Sequence, residues 1–271
     1  MQGDIHFISG LPRAGSTLLS AILRQNPRFR AGMTGPVGSL VDGMLRSMSM
    51  SNETAIFISD EQRRELIKAI FSTYYADLPK GHVVFDTNRN WCARLPLVTE
   101  LFPRAKVICC VRHIPWILDS VERLIRRNKY QPSGIFNFEP SDTVYSRVDG
   151  LAGPSGMVGF AWNALREAFC SEQSACLLAL TYETLTTQPE RAIAAVYEFI
   201  GEKPFAHDFQ NIEFDAEEFD RRIGTPGLHK VGRRVESPGR KTVLPGDLWR
   251  KYENDAFWGD PARNPNQVRV V

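Results

Sequence analysis

Two hydrophobic periods alternate along this chain. Short apolar runs at Ile5-His6-Phe7-Ile8, His82-Val83-Val84-Phe85, Lys106-Val107-Ile108-Cys109-Cys110-Val111 and Ala175 to Leu180 read as strands. The two inner runs are continuous enough for strands buried on both faces of a parallel sheet. Between them, apolar residues recur at helical spacing. Leu18, Leu19, Ile22 and Leu23 predict a helix from Thr17 to Gln25 that stops at Asn26-Pro27, because proline disfavours helical geometry in the residue before it. Leu40, Val41, Met44, Leu45 and Met48 mark a second. Ser59 with Gln62 three residues on caps a third, which carries Leu66, Ile67, Ile70 and Phe71 toward Tyr74-Tyr75. Further helices are expected from Leu95 to Phe102, Trp116 to Asn128, Val158 to Cys170 and Pro189 to Gly201. From Tyr130 to Met157 the periodicity fails amid Pro132, Gly134, Pro140, Gly150, Gly153, Pro154 and Gly156, which predicts a long excursion over the sheet. Beyond Lys203 charges and turns dominate.

Strand and helix in regular alternation predict one α/β domain over residues 1–271, a P-loop-like three-layer fold with a central, mostly parallel sheet flanked by helices. Ligands of such sheets bind beyond the carboxyl ends of the strands. Those ends supply Gly10 to Thr17, Asp86 to Trp91, Arg112-His113 and Thr181-Tyr182.

The first of them is the most informative. Gly10-Leu11-Pro12-Arg13-Ala14-Gly15-Ser16-Thr17 joins a strand to a helix with the glycine spacing of a phosphate loop, G-x4-G-K-[ST]. Ser16, however, stands where the lysine belongs, and the nearest cation is Arg13 inside the loop. Arg112, Arg89 and the pair Arg240-Lys241 are candidates to add positive charge, so the ligand is expected to carry several anionic groups.

Charge and composition narrow the classes. With 33 basic and 31 acidic residues the chain is close to neutral, so bulk nucleic-acid or membrane binding is not expected and any anion site must be local. The five cysteines have neither C-x-x-C nor His-paired zinc spacing, which predicts buried reduced thiols and no metal. No secretion signal and no run of 18 apolar residues is evident, so a cytoplasmic protein is expected.

The chain is similar to the nucleotide-dependent sulfotransferases, and within them resembles most the tyrosylprotein sulfotransferases and their bacterial relatives. Gly10 to Leu18 resembles the family's 5′-phosphosulfate loop, in which Lys or Arg takes the position of Arg13. The run Leu101-Phe102-Pro103-Arg104-Ala105-Lys106 leading to Val111-Arg112, with Ser120 eight residues after Arg112, resembles its 3′-phosphate motif. Thr181-Tyr182-Glu183-Thr184-Leu185 with Gln188-Pro189-Glu190 is similar to the segment whose tyrosine contacts the nucleotide.

The resemblance implies 3′-phosphoadenosine 5′-phosphosulfate as donor and a hydroxyl-bearing acceptor, either a tyrosyl peptide or a small phenol or alcohol, with homodimerisation open. It implies donor contacts from Arg13, Ala14, Gly15, Ser16, Thr17, Arg112, Ser120 and Tyr182, and closure of a late basic loop by Lys230 or Arg240-Lys241. Residues 32–58, 130–157 and part of the tail would form the acceptor side. In the family a base follows the first helix or the second strand, but Gly32-Met33-Thr34-Gly35-Pro36 has no carboxylate or histidine. Asp86 is therefore the first candidate base, Arg89 stands in for a family lysine near the transferred group, and His113 is a second candidate, while Arg13 with the loop amides would stabilise the charge that develops on the bridging oxygen at the transferred group. Two other readings stay open: a P-loop kinase using ATP and Mg²⁺, and a non-catalytic nucleotide-binding protein of the same fold.

Overall fold

The computed structural model describes residues 4–139, 143–236 and 239–271; Pro140 of the expected excursion lies outside them. In chain order the elements are β1 (Asp4–Gly10), α1 (Ser16–Leu23), β2 (Phe29–Ala31), α2 (Val37–Ser47), α3 (Asp60–Tyr74), β3 (Val83–Thr87), α4 (Leu95–Leu101), β4 (Val107–Val111), α5 (Ile114–Arg127), α6 (Val144–Ala152), α7 (Met157–Cys170), β5 (Leu177–Thr181), α8 (Tyr182–Thr187), α9 (Pro189–Ile200), α10 (Glu217–Arg222), α11 (Gly246–Tyr252) and β6 (Arg269–Val270). The strands form one sheet of order β2-β3-β1-β4-β5-β6, and every described pairing is parallel. The chain leaves β1 toward β2 and β3 on one side and returns to β4 on the other. The crevice between the ends of β1 and β4 is therefore a topological switch point.

The four expected strands are all present, and β3 and β4 are buried along their whole length. Two strands are additional. β2 is a three-residue edge strand in which only Phe29 and Ala31 are buried, and β6 has two residues, so neither is long enough to set up a periodic signal. The excursion is corrected too: α6 lies within it, begun by a capping box between Thr143 and Ser146. The capping box at Ser59 and Gln62 does start α3.

Aromatic contacts fill both sides of the sheet. Phe7 meets Trp91 with ring centroids 5.1 Å apart, and Phe71 meets Phe102 at 4.9 Å. Phe29 stacks on Tyr197 at 5.3 Å. All five thiols are free; Cys92, Cys109 and Cys110 are buried, but Cys170 is exposed. Among the described residues no helix is long and apolar enough to cross a membrane.

The tail is fastened over the carboxyl ends of the strands by specific polar contacts. Ile212 N–H donates to Arg233 O at 2.7 Å and Val235 N–H to Phe209 O at 2.9 Å. The fully buried Asp119 of α5 accepts from Thr242 Oγ1, from Val243 N–H and from Arg123, and pairs with Arg240. Four such bonds compensate a buried carboxylate that would otherwise be strongly destabilising.

His6, buried in β1, accepts the Lys106 N–H through Nδ1 at 3.1 Å. Burial pushes its pKa down to about 4, against smaller opposite pulls from Asp4 and Glu202. The neutral ring therefore contributes stability above pH 6.5 that is lost as the pH falls from 6.5 through about 4, by up to roughly 3 kcal/mol. His6→Asn should flatten that part of the profile of urea midpoint against pH, and an unchanged slope would show that His6 titrates normally.

Candidate functional site

The loop after β1 is built from three residues of positive φ: Gly10 at 95°, Arg13 at 57° and Gly15 at 94°. Gly10 is required by close packing as well, since a Cβ there would lie 2.4 Å from Cys110 O on β4. At Gly15 a Cβ would come within 3.1 Å of the Tyr182 ring and 3.2 Å of Leu185. Arg13 has no such licence and holds a left-handed conformation that arginine seldom adopts. The resulting turn leads into α1, whose N-cap Gly15 supplies no side-chain cap. The first-turn amides, including those of Ser16 and Thr17, are thus left for a ligand.

A cleft of about 370 Å³ opens over this loop. Loop residues Gly10 to Arg13 and Gly15 to Thr17, with Arg89, Arg112, Tyr182 and Lys230, line it. Ala14 is buried beneath the loop. The Arg13 Nε donates to Ser120 Oγ at 3.1 Å, and its Nη1 donates to Leu228 O. Arg112 lies over the Tyr182 ring at 3.8 Å from its centroid and donates through Nη1 to Arg13 O at 3.2 Å. Its Nε is buried without a hydrogen-bond partner. Burial and then the neighbouring Arg112 push the Arg13 guanidinium down to about 10; burial is also the main cause lowering Arg112. Two guanidinium groups that form no ion pair with a carboxylate among the described residues, beside a turn of free amides, make a site for an anion of more than one charge.

The structure thus brings Arg13, Arg112, Ser120 and Tyr182 together around the loop. Arg13, expected at the transferred group, instead turns toward α5. Arg89 also lines the cleft, and its backbone carbonyl accepts from Ser9 Oγ at 3.1 Å. Lys230 reaches the cleft, with Arg234 and Glu236 from the same strap. Arg240 does not line it: its guanidinium pairs with Asp119 at 2.8 Å, although its charge still bears on Arg13 and Arg112. The described contact of Lys241 is its carbonyl, which accepts from Arg123, while the residue itself is exposed.

Asp86 is the main correction. Its carboxylate is buried and accepts from Tyr75 Oη at 2.6 Å and Trp91 Nε1 at 2.8 Å, so both oxygens are committed to the core. Burial raises its pKa, and the two hydrogen bonds only partly oppose this. It is Thr87, one residue on, that lines the cleft. His113 is likewise drawn elsewhere, with Nε2 at 2.7 Å from Glu253 O and its ring against Trp249.

A residue that the sequence pattern did not single out lines the cleft instead. His229 Nδ1 lies 2.5 Å from Asp220 Oδ1, and the other carboxylate oxygen accepts the His229 N–H at 2.8 Å. Asp220 is buried on α10, so the imidazole is held in one orientation. Nδ1–H donating to the carboxylate leaves the Nε2 lone pair available.

Comparison with known proteins bears on the fold and the family. The solved structure of a sulfotransferase domain from the curacin biosynthetic pathway superposes with a TM-score of 0.54 at 14% identity, covering 92% of this chain and 96% of that one. A sulfotransferase from Alicyclobacillus acidocaldarius gives 0.53 at 13% identity, covering 100% and 98%. At such identities the likeness is one of fold. No curated protein matches the sequence significantly. The family model described as "Sulfotransferase family" matches residues 6–206, which include the loop, Arg89, Arg112, Ser120 and Tyr182, and the chain therefore belongs to the sulfotransferase family.

Proposed function

We propose that this sulfotransferase uses 3′-phosphoadenosine 5′-phosphosulfate as donor and an alcohol or phenol hydroxyl, of a small molecule or a tyrosyl residue, as acceptor. The observation that supports this most is the buried, unpartnered Nε of Arg112 beside Arg13 and Ser120. A donor with a second phosphate away from the reacting end would complete that pair. The loop geometry fits the other end of the same molecule, with the amides of Gly15 to Thr17 on the 5′-phosphate and Tyr182 already held by Arg112.

In the transfer, the acceptor oxygen forms a bond to sulfur as the bond from sulfur to the bridging phosphate oxygen breaks. The acceptor proton leaves, and the bridging oxygen gains negative charge. Loop amides and Arg89 meet that charge. His229, oriented by Asp220, accepts the proton at Nε2. Asp86 holds Tyr75 and Trp91 in place and takes no part in proton transfer.

Calorimetric titration should show 3′-phosphoadenosine 5′-phosphate binding well above ATP with Mg²⁺; equal or preferential ATP binding would instead support a kinase. Arg112→Ala should weaken the 3′-phosphorylated ligand by roughly tenfold or more while changing adenosine 5′-phosphosulfate little, since a charge-assisted contact is worth about 1.5–3 kcal/mol. For the base, His229→Gln should lower kcat by roughly 100-fold with nucleotide affinity within about twofold. Asp86→Asn should lose about 1–3 kcal/mol of stability yet keep most of kcat at temperatures where it is folded. The reverse pattern would return the proton transfer to Asp86.

A further inference from the structure

At the β2 edge of the sheet a second cleft of about 700 Å³ opens, with Tyr74, Tyr75, Phe214 and Phe219 among its walls. It meets the first cleft at Thr34 and Thr87, which line both. Phe219 of the second cleft also lies edge-on to the ring of His229, which lines the first, with centroids 5.6 Å apart. Of the expected acceptor side, residues 32–36, Ser39 and part of the tail line this cleft, whereas the segment 130–157 does not among the described residues.

The charge of this cleft is uneven. Arg24, at the end of α1, is exposed and lies over the Phe214 ring at 5.7 Å. Arg30 is the exposed middle residue of β2, and its charge bears on the Tyr75 hydroxyl. Neither forms an ion pair among the described residues, whereas nearby Arg28 pairs with Glu202 at 2.9 Å. Two carboxylates also line the cleft. Asp86 is held by Tyr75 and Trp91, and Asp215 accepts the Glu217 N–H at 2.9 Å at the start of α10. Aromatic walls with two guanidinium groups that form no ion pair among the described residues suit a flat ring carrying an anion. The volume falls within the range of small-molecule sites.

We infer that the second cleft is the acceptor site and that its ligand is a small aromatic hydroxyl compound carrying a carboxylate or similar anionic group. The ring lies among Tyr74, Phe214 and Phe219, the hydroxyl reaches the Thr34–Thr87 junction, and the anion meets Arg24 and Arg30. This assignment rests on the sulfuryl-transfer reading of the first cleft.

The test compares 4-hydroxyphenylacetate with its methyl ester, by calorimetric binding with and without 3′-phosphoadenosine 5′-phosphate and by turnover with labelled donor. The acid should bind about tenfold more tightly than the ester. In the Arg24→Ala/Arg30→Ala double variant, both sites being exposed, that advantage should vanish through KM with kcat retained. Nucleotide affinity should stay within about twofold. The inference is overturned if the ester binds as well as the acid, if the acid keeps its advantage in the double variant, or if a tyrosyl peptide without acidic residues outcompetes the acid. Failure of the nucleotide to bind would count against the donor reading alone, because the acid–ester comparison without nucleotide still reports on the second cleft.

Discussion

Two half-buried arginines, Arg13 and Arg112, set the terms for everything around them. Desolvation lowers the affinity of both for their protons, Arg112 adds to the effect at Arg13 and Arg240 at both, and no carboxylate among the described residues forms an ion pair with either. Such a pair is tolerated only where other groups hold it in place. Ser120 Oγ and Leu228 O fix Arg13, while the Tyr182 face and Arg13 O fix Arg112. The left-handed backbone at Arg13 belongs to the same arrangement, since it turns the carbonyl of one arginine toward the guanidinium of the other. An anion entering the cleft relieves this stress, so the site is prepared for charge before any ligand arrives.

Much of this was legible because it is local. The strand, loop and helix over residues 5–23 lie in a single stretch, and the interval from Arg112 to Ser120 spans the start of one helix. The family resemblance rests on those same short intervals. Asp86 shows where local reading fails. Successive strand residues face opposite sides, so at the end of β3 a one-residue difference decides which side chain lines the phosphate-loop cleft. The Asp86 carboxylate is held by Tyr75 and Trp91 beside the second cleft, and the first received Thr87. Composition at a strand end names candidates, but only the pleat assigns them.

The His229–Asp220 pair was hidden for a different reason. Its members belong to a region of irregular periodicity, where a six-residue helix and a turn bring them together. The same region supplies Phe214 and Phe219 to the second cleft and Lys230 to the first. A charged, turn-rich tail that looks like connecting chain in the sequence therefore contributes walls to both clefts. β2 and α6 escaped notice similarly, being too short or too interrupted by glycine to impose a period.

The bond from Arg13 to the carbonyl of Leu228 joins positions 215 residues apart. During synthesis the phosphate loop emerges early, yet its arginine lacks one of its two described partners until residue 228 has left the ribosome, because long-range closure must follow the segments it joins. The cleft is thus completed late in the life of the nascent chain. A ligand bound to the finished cleft would favour the fully assembled form by mass action over any in which the strap had come away. The contact thus ties occupancy of the cleft to how much of the chain persists in its complete form.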